Sequence, residues 1–348
     1  MRTRAEIWRS LWLPGCLLAS CLLASCREPD AADAANAADG ALTRPVEVAL
    51  STEASPTRAF ANDGTHRVDR IVAIPFRKTS ESLPDDDRNY VPAYTLAVQR
   101  DVASFPVTGL VLHLPVGSTY KVLVIGYNRA DYDYNDRSNP ANRFDLGSLS
   151  STATLADFHL YPKSPTAVPE FFTCLCTAYD GSAAVGTAFR PERNYRLSGA
   201  LGRLVSGFSV TITGIPPFVK ALSLVAENLT RASKATDGSV VLWQTTGDGG
   251  NRLIARKTPS AARSVVFDCY LLPTFETRPT RFFLDVEHGA LTQRFVVKVP
   301  DSEVSADSRF ILKPNRAINV SGGYAAIQLG FNLGFSVHLD DDAWDGLH

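Results

Sequence analysis

Apolar residues in this chain arrive in short bursts between polar or Gly/Pro-containing breaks, and no long stretch holds them at helical spacing. Residues 70–76 (RIVAIPF) make a β-branched run that gives way to the polar loop 77–89, which predicts a strand. A second run covers 94–98. Residues 107–114 and 120–127 flank the turn Pro115-Val116-Gly117-Ser118 and predict a hairpin. A polar loop follows at 131–140, one short helix is expected around 149–158, and 171–179 predict another strand closed by Asp180-Gly181. The pattern restarts after Arg190-Pro191-Glu192-Arg193, with apolar runs at 195–212, 221–227, 239–244, 264–272, 280–287, 292–299 and 317–324. Turn signals such as 247–250 (GDGG) and His288-Gly289 separate them. Many short strands with such punctuation predict an all-β chain built of β-sandwiches, with domains at 66–192 and 193–348.

The last run is the most regular. Phe331, Leu333, Phe335, Val337 and Leu339 alternate strictly with other residues and share one face of a strand. Two readings stand side by side for 331–339: a final strand of the second sandwich, or a strand that enters a neighbour's groove, where alternate side chains filling successive pockets give specificity. A one-residue slip would turn every apolar side chain outward, so its register is firmly set.

The opposite end of the chain has a different pattern. Arg2, Arg4 and Arg9 precede an apolar run over 11–26, interrupted by Pro14 and Gly15 and ending in small residues before a cysteine. That is the plan of a secretory signal peptide over 1–25, and the run is shorter than the ~20 residues a membrane-spanning helix needs. Leu23-Ala24-Ser25-Cys26 matches a bacterial lipobox, which makes Cys26 the lipid acceptor, with Cys21 in Leu18-Ala19-Ser20-Cys21 as the alternative. Residues 26–65 are rich in Ala, Asp, Thr and Ser and are expected to be a flexible, lipid-attached spacer. Its one apolar patch, 46–50 (VEVAL), alternates weakly and is expected to pair at most as an edge strand.

Charge and chemistry narrow the function by exclusion. The 35 Lys and Arg nearly balance 36 Asp and Glu, leaving no electrostatic footprint for nucleic acid. Beyond the signal, Cys174, Cys176 and Cys269 are three cysteines, which cannot all pair within one chain, and they read mainly as small buried hydrophobes, with a disulfide from Cys174 or Cys176 to Cys269 as the alternative. Their spacing fits no usual zinc site. Asp131-x-Asp133-x-Asn135 matches the start of a calcium loop, but Asp136 stands where the turn glycine belongs and Asn142 where the bidentate glutamate belongs. Neither a His-Glu-x-x-His pattern, nor a Gly-x-Ser-x-Gly elbow, nor a P-loop occurs. These absences move the expectation from catalysis towards binding or assembly, with no metal and no cofactor.

Several of these segments together resemble the type V fimbrillin family of lipoprotein-derived pilus subunits. The carriers are the lipobox ending at Cys26, the strand at 70–76, residues 114–128 (LPVGSTYKVLVIGYN), and residues 201–210 (LGRLVSGFSV) opening the second half. The resemblance implies two tandem transthyretin-like sandwiches, no catalysis, and polymerisation with other fimbrial subunits by β-strand exchange. It also implies trimming after an arginine in shaft and tip subunits, for which Arg44, Arg58, Arg67 and Arg70 are the candidates, and an outer-membrane lipid anchor kept in anchor subunits. The long polar spacer and the acidic tail beyond residue 339 favour an anchor or accessory subunit that supports adhesion. The alternative is a surface glycan-binding lipoprotein of a nutrient-uptake system, with Trp243, Tyr132 and Tyr134 as aromatic platforms.

Overall fold

The computed structural model describes residues 42–52, 68–148, 153–243, 250–299, 308–329 and 331–336. The signal segment with Cys21 and Cys26, the trimming candidates Arg58 and Arg67, and the terminal Val337 and Leu339 lie outside the described residues.

Strands dominate, as expected of the all-β pattern. The first half contains β1 (Thr43–Thr52), β2 (Arg70–Lys78), β3 (Tyr90–Pro92), β4 (Val98–Asp101), β5 (Val107–Pro115), β6 (Tyr120–Tyr127), β7 (Phe144–Gly147), β8 (His159–Pro162), β9 (Phe172–Leu175), β10 (Thr177–Asp180), β11 (Ala183–Gly186) and β12 (Arg196–Arg203). The second half contains β13 (Ser206–Thr213), β14 (Val219–Glu227), β15 (Thr230–Lys234), β16 (Val240–Trp243), β17 (Arg252–Lys257), β18 (Val265–Leu271), β19 (Thr280–His288), β20 (Leu291–Val296), β21 (Arg309–Phe310), β22 (Ala317–Gly323) and β23 (Asn332–Ser336).

In the first sandwich β12 bridges two layers. Its first part lies between β1 and β10, and its last two residues pair with β9, which continues through β6 and β2 to β3 and β4. Between the layers lies a core of Val46, Val48, Leu110, Leu112, Val122, Val124 and Leu197 among others. The other face of β2 and β6, carrying Val72, Ile74, Phe76, Leu123, Ile125 and Tyr127, is covered as well. A strand buried on both faces reads as a continuous apolar run rather than an alternating one, which is why 70–76 and 120–127 stood out in the sequence.

The second sandwich stacks β18-β13-β22-β23 on β17-β14-β19-β20. Phe208 of β13 and Phe282 of β19 meet across the layers with ring centroids 3.7 Å apart and nearly parallel planes. A small sheet, β16-β15-β8-β7, draws strands from both halves.

Three sequence expectations change. β5 and β6 form no hairpin: β5 pairs with β1, so the turn at 115–118 carries the chain from one layer to the other. The second-half pattern does not begin at 193, because β12 hydrogen-bonds to β1, β9 and β10 and the chain leaves the first sandwich only after Arg203. The helix expected around 149–158 is a 3-10 turn at Leu155–Asp157, with 149–152 outside the described residues.

Candidate functional site

β1 occupies an inner slot. It runs antiparallel to β5, with Val46 opposite Leu112 and Val48 opposite Leu110, and parallel to β12, with Glu47 opposite Arg196 and Thr52 opposite Leu201. This corrects the expectation of an edge strand within a flexible spacer: residues 43–52 have a ladder on both sides. Period-two alternation sends Val46, Val48 and Leu50 into the core, each at most 1% exposed, while Glu47 and Ser51 face out. Pro45 lacks an N–H, yet it sits near the start of the strand, where that loss is tolerated.

Burying three such side chains contributes roughly 5–9 kcal/mol by area transfer. A domain's whole stability is ~5–15 kcal/mol. An empty slot would also strip hydrogen-bond partners from β5 and β12. The first sandwich is therefore complete only with a strand in this position.

The four trimming candidates sit differently around the slot. Arg44 is inside β1, opposite Leu114 of β5. Arg70 begins β2, paired with Tyr127 on one side and Asp101 on the other, and its guanidinium grips Asp101 in a fork at 2.6 and 3.2 Å. That hydrogen-bonded partner raises the Arg70 pKa above its ordinary value. Arg58 and Arg67 fall in sequence between β1 and β2, where a cut separates the slot strand from the rest of the chain and leaves every residue of β2 in place.

Of the C-terminal candidates, Phe331, Leu333 and Phe335 are placed at home in the second sandwich. Phe331 is 1% exposed, donates its N–H to Lys298 O at 2.7 Å, and packs so closely on Gly322 that a Cβ there would meet the Phe331 ring at 3.0 Å. Among the described residues β23 pairs antiparallel with β22 alone, Leu333 opposite Val320 and Phe335 opposite Ile318. It is an edge strand.

A buried ion pair stands at the junction of the halves, and a hydrogen bond from the same arginine crosses it. Arg203 at the end of β12 donates Nε to Glu170 Oε1 at 2.7 Å and Nη1 to Asn315 Oδ1 at 3.2 Å, with its guanidinium 4.7 Å from the centre of the Phe172 ring. Arg203 is fully buried and Glu170 nearly so. Around this joint Leu204, Val205, Tyr270, Leu272 and Ala317 pack onto the outer face of β2 and β6. Sequence spacing gave no sign of this cluster, because Glu170, Arg203 and Asn315 lie on three distant segments.

The aromatic residues proposed for sugar binding are distributed otherwise. Tyr132 is 2% exposed and stacks on Phe144 at 4.5 Å, and burial raises its phenol pKa. It is a core residue, not a platform. Tyr134 is half-buried with its hydroxyl donating to Tyr94 O, and Trp243 pairs with Thr230 across the β15–β16 ladder. Cys174 and Cys176 lie in the first core and Cys269 in the second, all as buried thiols. Both first-core sulfurs crowd the space above Gly199, where an added Cβ would approach Cys174 Sγ to 2.6 Å. Among the described residues no three His, Cys, Asp or Glu side chains converge as a metal site.

Compared with family models and with curated proteins, the chain matches none. Solved structures to which it is similar include a cell adhesion protein of Bacteroides eggerthii described as putative, at TM-score 0.44 and 8% identity over 85% of this chain and 96% of that one. The fimbrial anchor protein Mfa2 of Porphyromonas gingivalis is similar at TM-score 0.43 and 10% identity, over 85% of this chain and 99% of that one. The tip fimbrial protein Mfa3 of the same organism, with a C-terminal truncation, is similar at TM-score 0.37 and 10% identity over 84% and 99% of the two chains.

Proposed function

We propose that this chain is a non-enzymatic, lipid-anchored surface protein that serves as an anchor or accessory subunit of a fimbria and supports adhesion. The observation that carries the reading is the occupancy of the inner slot by β1, which follows the Cys26 lipobox in one continuous segment. While the connection at 53–67 is uncut, the lipid, the slot strand and both sandwiches remain one covalent unit. A base subunit needs that property.

Such a subunit couples to its neighbour with the other end of the chain. The alternating stretch 331–339 offers Phe331, Leu333, Phe335, Val337 and Leu339 at the same period that Val46, Val48 and Leu50 use inside the slot. As an edge strand β23 is held by one ladder, so its release frees a donor while leaving β13, β18 and β22 paired. A trimmed neighbour whose own slot strand has been cut away is the matching acceptor.

Intact mass and N-terminal sequencing of the protein taken from the cell surface test the reading. A start at lipid-modified Cys26 is expected. A free start after Arg58 or Arg67 would overturn the anchor assignment and place the chain in the shaft or tip, because both cuts detach β1 together with the lipid.

A further inference from the structure

Two clefts meet where the halves share a sheet. One, of about 450 Å3, is lined by Asp145, Ser148, Tyr161, Lys163 and Arg231 among others, and the second, of about 370 Å3, by Lys163, Ser164, Thr166, Arg231, Arg252 and Leu253. Lys163 and Arg231 belong to both, so the two form one trough. Each part is within the ~300–1,000 Å3 range of small-ligand sites.

The charges in the trough are unbalanced. Among its described lining residues are the cations Lys163, Arg231 and Arg252 and one carboxylate, that of Asp145, which stands 3.9 Å from Lys163 Nζ. Lys163 otherwise donates to Asn139 O at 3.2 Å. Arg231 projects from β15 exposed to solvent and has no hydrogen bond or ion pair with the described residues. The neighbouring sheet treats its arginines differently. Arg256 holds Glu287 in a fork at 2.7 and 2.6 Å, and Arg294 holds Asp285 at 2.6 and 2.7 Å. A guanidinium fork is built to grip an oxyanion, and beside Lys163 and Arg252 the Arg231 fork lacks one.

We propose that this trough binds an acidic oligosaccharide, with a sugar carboxylate held by Arg231 and Lys163 at the join and flanking rings lying in the two arms. The hydroxyls of Ser148, Tyr161, Ser164 and Thr166 can both donate to and accept from sugar hydroxyls, and the exposed Leu253 offers an apolar surface to the C–H face of a ring. A peptide cannot add as a strand to β15, which carries Arg231, because β15 is already paired on both sides, with β8 and with β16. The site gives the adhesion role a ligand class. It is present in the isolated chain and does not depend on strand exchange.

The test is titration calorimetry of the purified full chain with a galacturonic acid tetramer, the neutral galactose tetramer, a short poly-glutamate and inorganic phosphate, each at low and high salt. The acidic tetramer is expected to bind, to weaken as salt rises, and to lose at least about tenfold in affinity in Arg231→Glu. Arg256→Ala, which removes an arginine already paired with its own carboxylate, is expected to bind as the parent does. The proposal is overturned if the acidic tetramer does not bind, if Arg231→Glu binds it unchanged, or if Arg256→Ala loses as much. Equal affinity for the neutral tetramer, for phosphate or for a short poly-glutamate also overturns it. Circular dichroism of Arg231→Glu separates lost binding from lost folding. Subunit assembly, measured separately, leaves this result unaffected.

Discussion

β1 and β23 stand near opposite ends of the chain, both alternate, and the structure treats them in opposite ways. β1 has a ladder on each side and drives three fully buried side chains into the first core; β23 has a ladder on one side and closes the rim of the second sandwich. The strand with the weaker sequence signal holds the more committed position. A strand's role is set less by its own pattern than by how many neighbours require it.

The largest expected effect follows from that difference. Deleting 42–52 should cost roughly 5–9 kcal/mol, comparable to the whole stability of a domain, and abolish cooperative melting of the first sandwich while the second still unfolds as a unit. Retention of both transitions in calorimetry would show that the slot does not need its strand.

The joint between the halves comes next. Glu170→Ala leaves Arg203 buried without its carboxylate and should destabilise by about 3–5 kcal/mol, whereas the double change Glu170→Leu with Arg203→Met should recover most of that loss. Urea midpoints of the two variants, compared with the parent, check both statements. If Glu170→Ala leaves the midpoint where it is, the buried pair does not stabilise the fold.

Deleting 332–348 while keeping Phe331 should cost less, on the order of 1–3 kcal/mol, confined to the second sandwich, because only the β22 ladder loses a partner. The same truncation should abolish incorporation into polymers. Normal polymerisation without these residues would refute the donor role.

The smallest effect concerns pH. The Lys121 ammonium, 2.8 Å from Asp85, holds that carboxyl below its ordinary value, and Tyr90 adds a hydroxyl hydrogen bond. Burial alone would lower Lys121, but Asp85 and Asp87 raise it overall. Because the folded pKa of Asp85 is depressed, its contribution is present above the unfolded value of about 3.9 and is lost as pH falls through the folded value. Asp85 is half-exposed, so the gain is well under ~1 kcal/mol. Protection factors of amides in the loop 80–89, corrected for the intrinsic pH dependence of exchange, should therefore fall slightly as pH drops from about 5 to 3, and Lys121→Met should reduce the part of that dependence due to Asp85.

Much of the fold was legible because burial on two faces leaves a long apolar trace. Val72 to Phe76 and Leu123 to Tyr127 could be read as strands without knowing what covers them. The slot strand was not, because Val46, Val48 and Leu50 are only three alternating positions beside a proline, and their second neighbour, β12, lies far along the chain. The same non-local pairing hid the fate of β5, which looks like half of a hairpin until β1 claims its edge. Tyr132 looked available in a polar loop, but the stacking on Phe144 that buries it depends on how that loop folds back. The trough was invisible for a similar reason: Lys163, Arg231 and Arg252 are scattered in sequence and meet only where β8 crosses to β15.

The slot can be tested most directly by opening it without mutating the core. A protease site placed within 53–67 of the purified chain allows a single cut, after which the fragment bearing β1 is removed in mild denaturant and hydrogen exchange is followed in β5 and β12. Protection of both strands should collapse and return with one equivalent of a synthetic 43–52 peptide. Strands that stay protected in the cut protein with no peptide added would contradict the account.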